Sequence, residues 1–156
     1  MCWQCNNPEL TYDDYLDTVI LPLVHQNGWA VQGVSGRQPF AYTVGLTECG
    51  LPELVITGMD DTAAATVLNA VAGQVLRADL AIGSRVDLSG LVLEVVPVAR
   101  PELHLLTAMA LYGDDVRGLQ LVWPDDRGRY PWQVGHRSRR GGQPLLGRPV
   151  RLTHDR

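Results

Sequence analysis

The 156-residue chain contains no lysine, so its thirteen basic side chains are all arginine. That absence excludes Schiff-base chemistry and pyridoxal-phosphate attachment, which need a side-chain primary amine. Long apolar runs are missing too: none reaches the roughly 18 residues of a membrane span. The N-terminus has neither a basic start nor a continuous apolar segment, so no secretory signal is read there. Cysteine is scarce, three in all, and so few thiols in an odd number do not make a disulfide framework. Also absent are G-x-S-x-G, G-x-x-x-x-G-K, G-x-G-x-x-G and H-E-x-x-H, the signatures of common hydrolases, nucleotide binders and zinc proteases. The expectation is a soluble, cytoplasmic, single-domain protein.

What is present fits a globular chain: 46% hydrophobic and 19% charged residues, with length enough for one core. The net charge of −4 hides an asymmetry. Residues 1–126 carry five arginines against sixteen acids, net −11, whereas residues 127–156 carry eight arginines against Asp155, net +7. Either the basic tail lies on the acidic body, or it binds phosphate or nucleic acid. The charge of the body argues against extended nucleic-acid contact.

Thr11 and Asp14 resemble a capping box ahead of an apolar repeat at helical spacing: Tyr15, Leu16, Val19, Ile20, Leu23 and Val24. This predicts a helix over Tyr12–Gln26, kinked at Pro22 and stopped by Asn27-Gly28. WAVQGV reads as a strand with Gly33 a candidate bulge. FAYTVGL alternates with period two, its small face (Ala41, Thr43, Gly45) inviting close packing. ELVITG is a third strand. A helix capped by Asp60 or Asp61 follows, burying Ala64, Val67, Leu68, Val71 and Val75. RVDL and LVLEVVPV form a hairpin about Ser89-Gly90, Pro101 opens a helix over PELHLLTAMALYG, and GLQLVW is a last strand. Strands joined mostly by short turns predict an α+β domain, residues 1–132, on a mostly antiparallel sheet with two or three flanking helices. A Gly/Arg/Pro-rich arm, residues 133–156, completes the chain.

Three groups could carry chemistry. Cys2 and Cys5, spaced C-x-x-C, supply half of a tetrahedral zinc or other metal site. His25 and His104 are the leading partners, with Cys49, His136 and His154 as others. The same thiols could form a redox pair, or simply fill apolar pockets around Trp3. His25, late in a helix, also suits the C-terminal dipole. The third group is the block LVWPDDRGRYPW, where Trp123, Arg127, Arg129 and Trp132 combine stacking surfaces with guanidinium groups that grip phosphate or carboxylate. Tyr42 and Thr43 join it if the small face of FAYTVGL lines a pocket. A structural role fits the block equally: the tryptophans close the core while Asp125, Asp126 and Arg127 shape a turn.

MCWQC, GWAVQGV, PFAYTVGLTECGLPELVITG, ATVLNAVAGQV and LQLVWPDDRGRYPW together resemble an uncharacterised bacterial group, domain-of-unknown-function family 4262, from about Met1 to Gly147. The lysine-free composition looks like a version from a high-GC actinobacterium. A second likeness, topological only, is to flavin-binding split β-barrels; it implies a barrel-like sheet, a flavin or deazaflavin cofactor and a homodimer. The leading functional expectation is a small binding or accessory domain. Its recognition surface is the LVWPDDRGRYPW block, and its partner is a small anionic or planar ligand or another protein rather than nucleic acid. The alternatives are a flavin-type oxidoreductase and a metal-binding or thiol-switch protein.

Overall fold

The computed structural model describes residues 3–137 and 142–150. The chain begins with a short helix, α1 (Trp3–Asn6). The capping box forms as expected: Thr11 Oγ1 accepts from the Asp14 backbone N–H, and Asp14 Oδ2 accepts from the Thr11 N–H at 2.7 Å. The helix behind it, α2, has three consecutive parts: α-helical Tyr12–Tyr15, a π-turn over Leu16–Ile20, and α-helical Leu21–Asn27. Pro22 accounts for the π-turn. Its nitrogen cannot bond the Thr18 carbonyl and its ring would crowd it. The preceding turn widens, so the Leu21 N–H reaches back to the Leu16 carbonyl. Gly28 ends the helix in a left-handed conformation.

Six strands follow: β1 (Ala30–Val34), β2 (Phe40–Val44), β3 (Glu53–Thr57), β4 (Arg85–Leu88), β5 (Leu91–Pro97) and β6 (Gly118–Val122). Between β3 and β4 lies α3 (Asp61–Val75), capped by Asp60 Oδ1 accepting from the Ala63 N–H. Between β5 and β6 the predicted single helix is two, α4 (Pro101–His104) and α5 (Leu106–Tyr112). They part at Leu105, a non-helical residue whose side chain is wholly buried.

The strands form one sheet in the order β1-β2-β3-β6-β5-β4. Two antiparallel three-stranded ribbons meet along a parallel pair, β3 with β6. The α+β reading holds and the sheet is mostly antiparallel. The barrel suggested by the split-barrel likeness is not formed, because the sheet is open with β1 and β4 at its edges. Nor is Gly33 a bulge; it pairs in register with Ala41. The central strands β3 and β6 are buried at every position, which requires cover on both faces.

One face carries Ala41, Leu54, Ile56, Leu93, Val95 and Leu121, packed against Ala64, Leu68, Val71 and Ala72 of α3. The small residue Ala41 is what lets α3 sit close to β2. On the other face Tyr42, Val44 and Val55 meet Leu16, Ile20 and Val24 of α2 together with Leu105 and Ala108. A polar chain pins these layers: Tyr12 Oη donates to Thr107 Oγ1 at 2.7 Å, and the Thr107 N–H donates to Tyr42 Oη at 2.9 Å. Val96, Val122 and Tyr130 form a third, smaller cluster with Trp132 and Leu145.

The loop between β2 and β3 is built around a carboxylate. Glu53 is wholly buried. Its Oε1 accepts from Thr43 Oγ1 (2.9 Å) and the Leu46 N–H (3.2 Å). Its Oε2 accepts from the N–H groups of Gly45 (3.2 Å) and Thr47 (3.0 Å) and from Thr47 Oγ1 (2.5 Å). The three N–H groups open the short 3-10 turn Leu46–Cys49. A side chain of the next strand thus fills the anion site that such a turn offers. Burial nevertheless outweighs these donors and leaves the Glu53 carboxyl above its ordinary value. Gly45 enters the loop at φ 127°, where a Cβ would come within 2.9 Å of the Gly28 carbonyl oxygen.

Candidate functional site

Beyond β6 the chain turns through Pro124-Asp125-Asp126-Arg127-Gly128, and Asp125 ties together the segment as far as Arg137. Asp125 Oδ1 accepts from the backbone N–H groups of Arg127 and Arg129, and Oδ2 from that of Arg137, all at 2.9 Å. Its own N–H donates to the Arg129 carbonyl at 2.8 Å. These backbone donors, Arg137 first, pull the Asp125 carboxyl down to about 2. One carboxylate therefore sets the positions of three arginine-bearing stretches of backbone.

The turn rests on an aromatic base. Tyr130 is buried and donates its hydroxyl to the Val92 carbonyl at 2.7 Å. Trp132 stacks on it with ring centroids 5.3 Å apart and planes 7° from parallel. The Arg85 guanidinium lies 4.9 Å from the centre of the Tyr130 ring while pairing with Glu94 at 3.2 Å. Trp123 is held by its indole N–H, which donates to the Thr57 carbonyl at 2.9 Å.

The second described stretch of the arm, residues 142–150, runs from the C-terminal end of β3, where Gly142 meets Gly58, past Gln120 and Ala99 to Gly83. Gln143 makes a two-way amide contact with the Trp123 backbone, at 3.0 and 2.9 Å. Gln120, wholly buried, donates to Thr57 Oγ1 and to the Pro144 carbonyl and accepts from the Leu146 N–H at 2.8 Å. Thr57 Oγ1 also donates to the Pro144 carbonyl, at 2.8 Å. Gly58 permits the crossing, since a Cβ there would stand 2.5 Å from the Gly142 carbonyl oxygen. Residues 142–150 are held by amide, carbonyl and apolar contacts; Arg139, Arg140, Arg151 and Arg156 of the basic tail lie outside the described residues, and the ion pairs recorded among the described residues are Arg85–Glu94 and Arg100–Glu102.

Trp123, Asp125, Asp126, Arg127 and Arg137 enclose a cavity of about 230 Å³. Of the residues expected in a recognition surface, Trp123 and Arg127 meet here. Arg129 contributes its backbone to Asp125, and Trp132 belongs to the aromatic base. Tyr42 and Thr43 are buried elsewhere, Tyr42 in the α2-facing core and Thr43 on Glu53. Arg137 was not anticipated; it stands far along the chain in a stretch without periodicity, and its place is set by the bond of its backbone to Asp125. The structural role assigned to Asp125 and Arg127 in the turn is also present.

Among the thiols and histidines, Cys2 and His154 lie outside the described residues. Cys5 and Cys49 are exposed, as is His25 in the last turn of α2, while His104 ends α4 half-buried. Among the described residues no three His, Cys, Asp or Glu side chains are grouped to hold a metal ion. No helix among them is long and apolar enough to cross a membrane.

The charge at Asp125 gives a pH-dependent expectation. A carboxyl whose folded value is depressed from 3.8 to about 2 stabilises the folded state above its unfolded value, and the effect is lost as pH falls toward 2. Wild type should therefore exceed Asp125→Asn in stability by a constant margin above about pH 5, with the margin shrinking between about pH 4 and pH 2. Denaturant unfolding of both proteins across that range measures it. A margin that does not change with pH would show that the carboxylate charge has no part in holding the turn.

The fold and site define an α+β domain with an open six-stranded mixed sheet, closed at one end by an aspartate-centred turn and a docked arm. The chain belongs to the family described as a domain of unknown function (DUF4262), whose model matches residues 23–137. No curated protein and no solved structure matches it.

Proposed function

We propose that this domain is a binding module whose recognition site is the cavity beside Trp123, and that it takes a small planar ligand carrying a carboxylate or phosphate. The observation that supports this is the composition of the cavity after Asp125 is accounted for. That carboxylate is spent on three backbone N–H groups. Two arginines, Arg127 and Arg137, then line the same space as Asp126 and Trp123, whose indole is anchored on Thr57. Guanidinium pairs suit an oxyanion bidentately, and an indole face suits a planar ring.

Tryptophan fluorescence tests the proposal with phenyl phosphate, 2-naphthoate and flavin mononucleotide as probes, the last covering the flavin reading as well. Saturable quenching by at least one probe is expected, weakened about tenfold or more in Arg127→Ala/Arg137→Ala. Equal binding by that double variant, or no binding of any probe, would refute it.

A further inference from the structure

A second cavity, of about 310 Å³, lies at the opposite end of the parallel strand pair, where β6 begins and β5 ends. Its walls come from Leu80, Ile82, Val98, Val116 and Leu119 with three prolines. Ile82 is 53% exposed, a large apolar side chain left at the surface on the loop after α3. The main-chain groups at this end are already paired: the Val98 N–H with the Gly118 carbonyl and the Glu53 N–H with the Arg117 carbonyl, both at 2.9 Å. Arg117 is the one ionisable side chain among the lining residues.

That guanidinium is positioned but has no ion-pair partner among the described residues. Its Nη2 donates to the Gly50 carbonyl at 2.7 Å, which fixes where the head group stands. None of the ion pairs recorded among the described residues includes it. A guanidinium has five N–H donors in a planar fork, so most remain for a partner. A largely aliphatic cavity with one basic residue, Arg117, and no carboxylate in its lining fits one class of molecule: an apolar tail ending in a single acid.

We infer that this cavity binds a small apolar monocarboxylic acid, its hydrocarbon tail among Leu80, Ile82, Val98, Val116 and Leu119 and its carboxylate on Arg117. The volume is at the lower end for small-molecule sites, which favours a medium chain or a single ring over a long fatty acid. The site lies apart from the Trp123 cavity, with which it shares no lining residue, and each can fail without the other.

The test is a methyl-detected NMR titration of the full chain with octanoate and, separately, octan-1-ol, which has the same tail without the charge. Octanoate should move the methyl signals of Leu80, Ile82, Val98, Val116 and Leu119 and bind about tenfold or more tightly than the alcohol. Arg117→Gln should abolish that preference while leaving alcohol binding, which shows that the variant remains folded. Ile82→Trp, a change at an exposed position that fills the cavity, should weaken both. Equal affinity for acid and alcohol would overturn the inference. So would an Arg117→Gln variant that keeps the preference, or shifts confined to other parts of the protein. Binding seen only after removal of residues 151–156 would make the chain's own end the occupant, and would overturn it too.

Discussion

Glu53→Ala is expected to destabilise the domain by about 2–4 kcal/mol, the cost of leaving several buried donors without an acceptor. Five donors converge on that carboxylate, three of them backbone N–H groups at the start of the 3-10 turn. Alanine would leave three of them, Thr43 Oγ1 and the N–H groups of Gly45 and Leu46, unmet in a buried space, each costing on the order of 1 kcal/mol or more, with the two Thr47 donors only partly shielded from water. Glu53→Gln should recover little, because both carboxylate oxygens accept backbone N–H bonds and an amide NH₂ would face donors on one side. Equilibrium denaturation measures both variants. A loss below about 1 kcal/mol for alanine would show that water or a shifted loop meets the donors.

The second large effect is at Gln120. Its amide joins β3, β6 and the arm through Thr57, Pro144 and Leu146. Gln120→Leu keeps the volume but removes all three bonds, and should cost about 2–3 kcal/mol. The change should be local in one respect: hydrogen exchange at the Leu146 amide should rise well before exchange in β2 or α3. Gln143 pairs with the Trp123 backbone rather than with Gln120, so Gln143→Ala should loosen the arm more mildly. Uniform acceleration of exchange across the sheet in Gln120→Leu would mean that the amide supports the whole fold and not the arm.

The parts of this molecule that were legible in the sequence are those set by neighbours along the chain. The Thr11–Asp14 box, the buried stripe of α3 and the Ser89-Gly90 hairpin each depend on residues a few positions apart. The parallel β3–β6 pairing was not legible, since a strand at 53–57 meets one at 118–122 only after α3, a hairpin and two helices have been placed. Periodicity says that GLQLV is a strand and is silent about its neighbour. Glu53 escaped for a related reason: at the head of ELVIT it reads as the polar start of a strand, and its burial depends on how the preceding loop folds back over it. The break at Leu105 has no glycine or proline to announce it. It accompanies the burial of that side chain among residues of β2, β3 and α2.

The candidate site was half visible. Trp123 and Arg127 carry the aromatic-basic signature directly, whereas Arg137 arrives through a single bond from its backbone to a carboxylate twelve residues earlier. The same aspartate explains why a turn rich in acids can still present basic groups, because its charge is already engaged by backbone. The proposed binding role and the turn thus rest on the same residues: the turn must be built before Arg127 and Arg137 can line one cavity.

The most direct test of that account is to map where a planar anion touches the domain, by ¹⁵N–¹H and arginine side-chain NMR during titration with phenyl phosphate. Shifts concentrated at the Trp123 indole and the Arg127 and Arg137 guanidinium groups, and abolished by Arg127→Ala/Arg137→Ala, are the predicted result. Saturable binding that leaves those three side chains unmoved, or no binding at all, would contradict it.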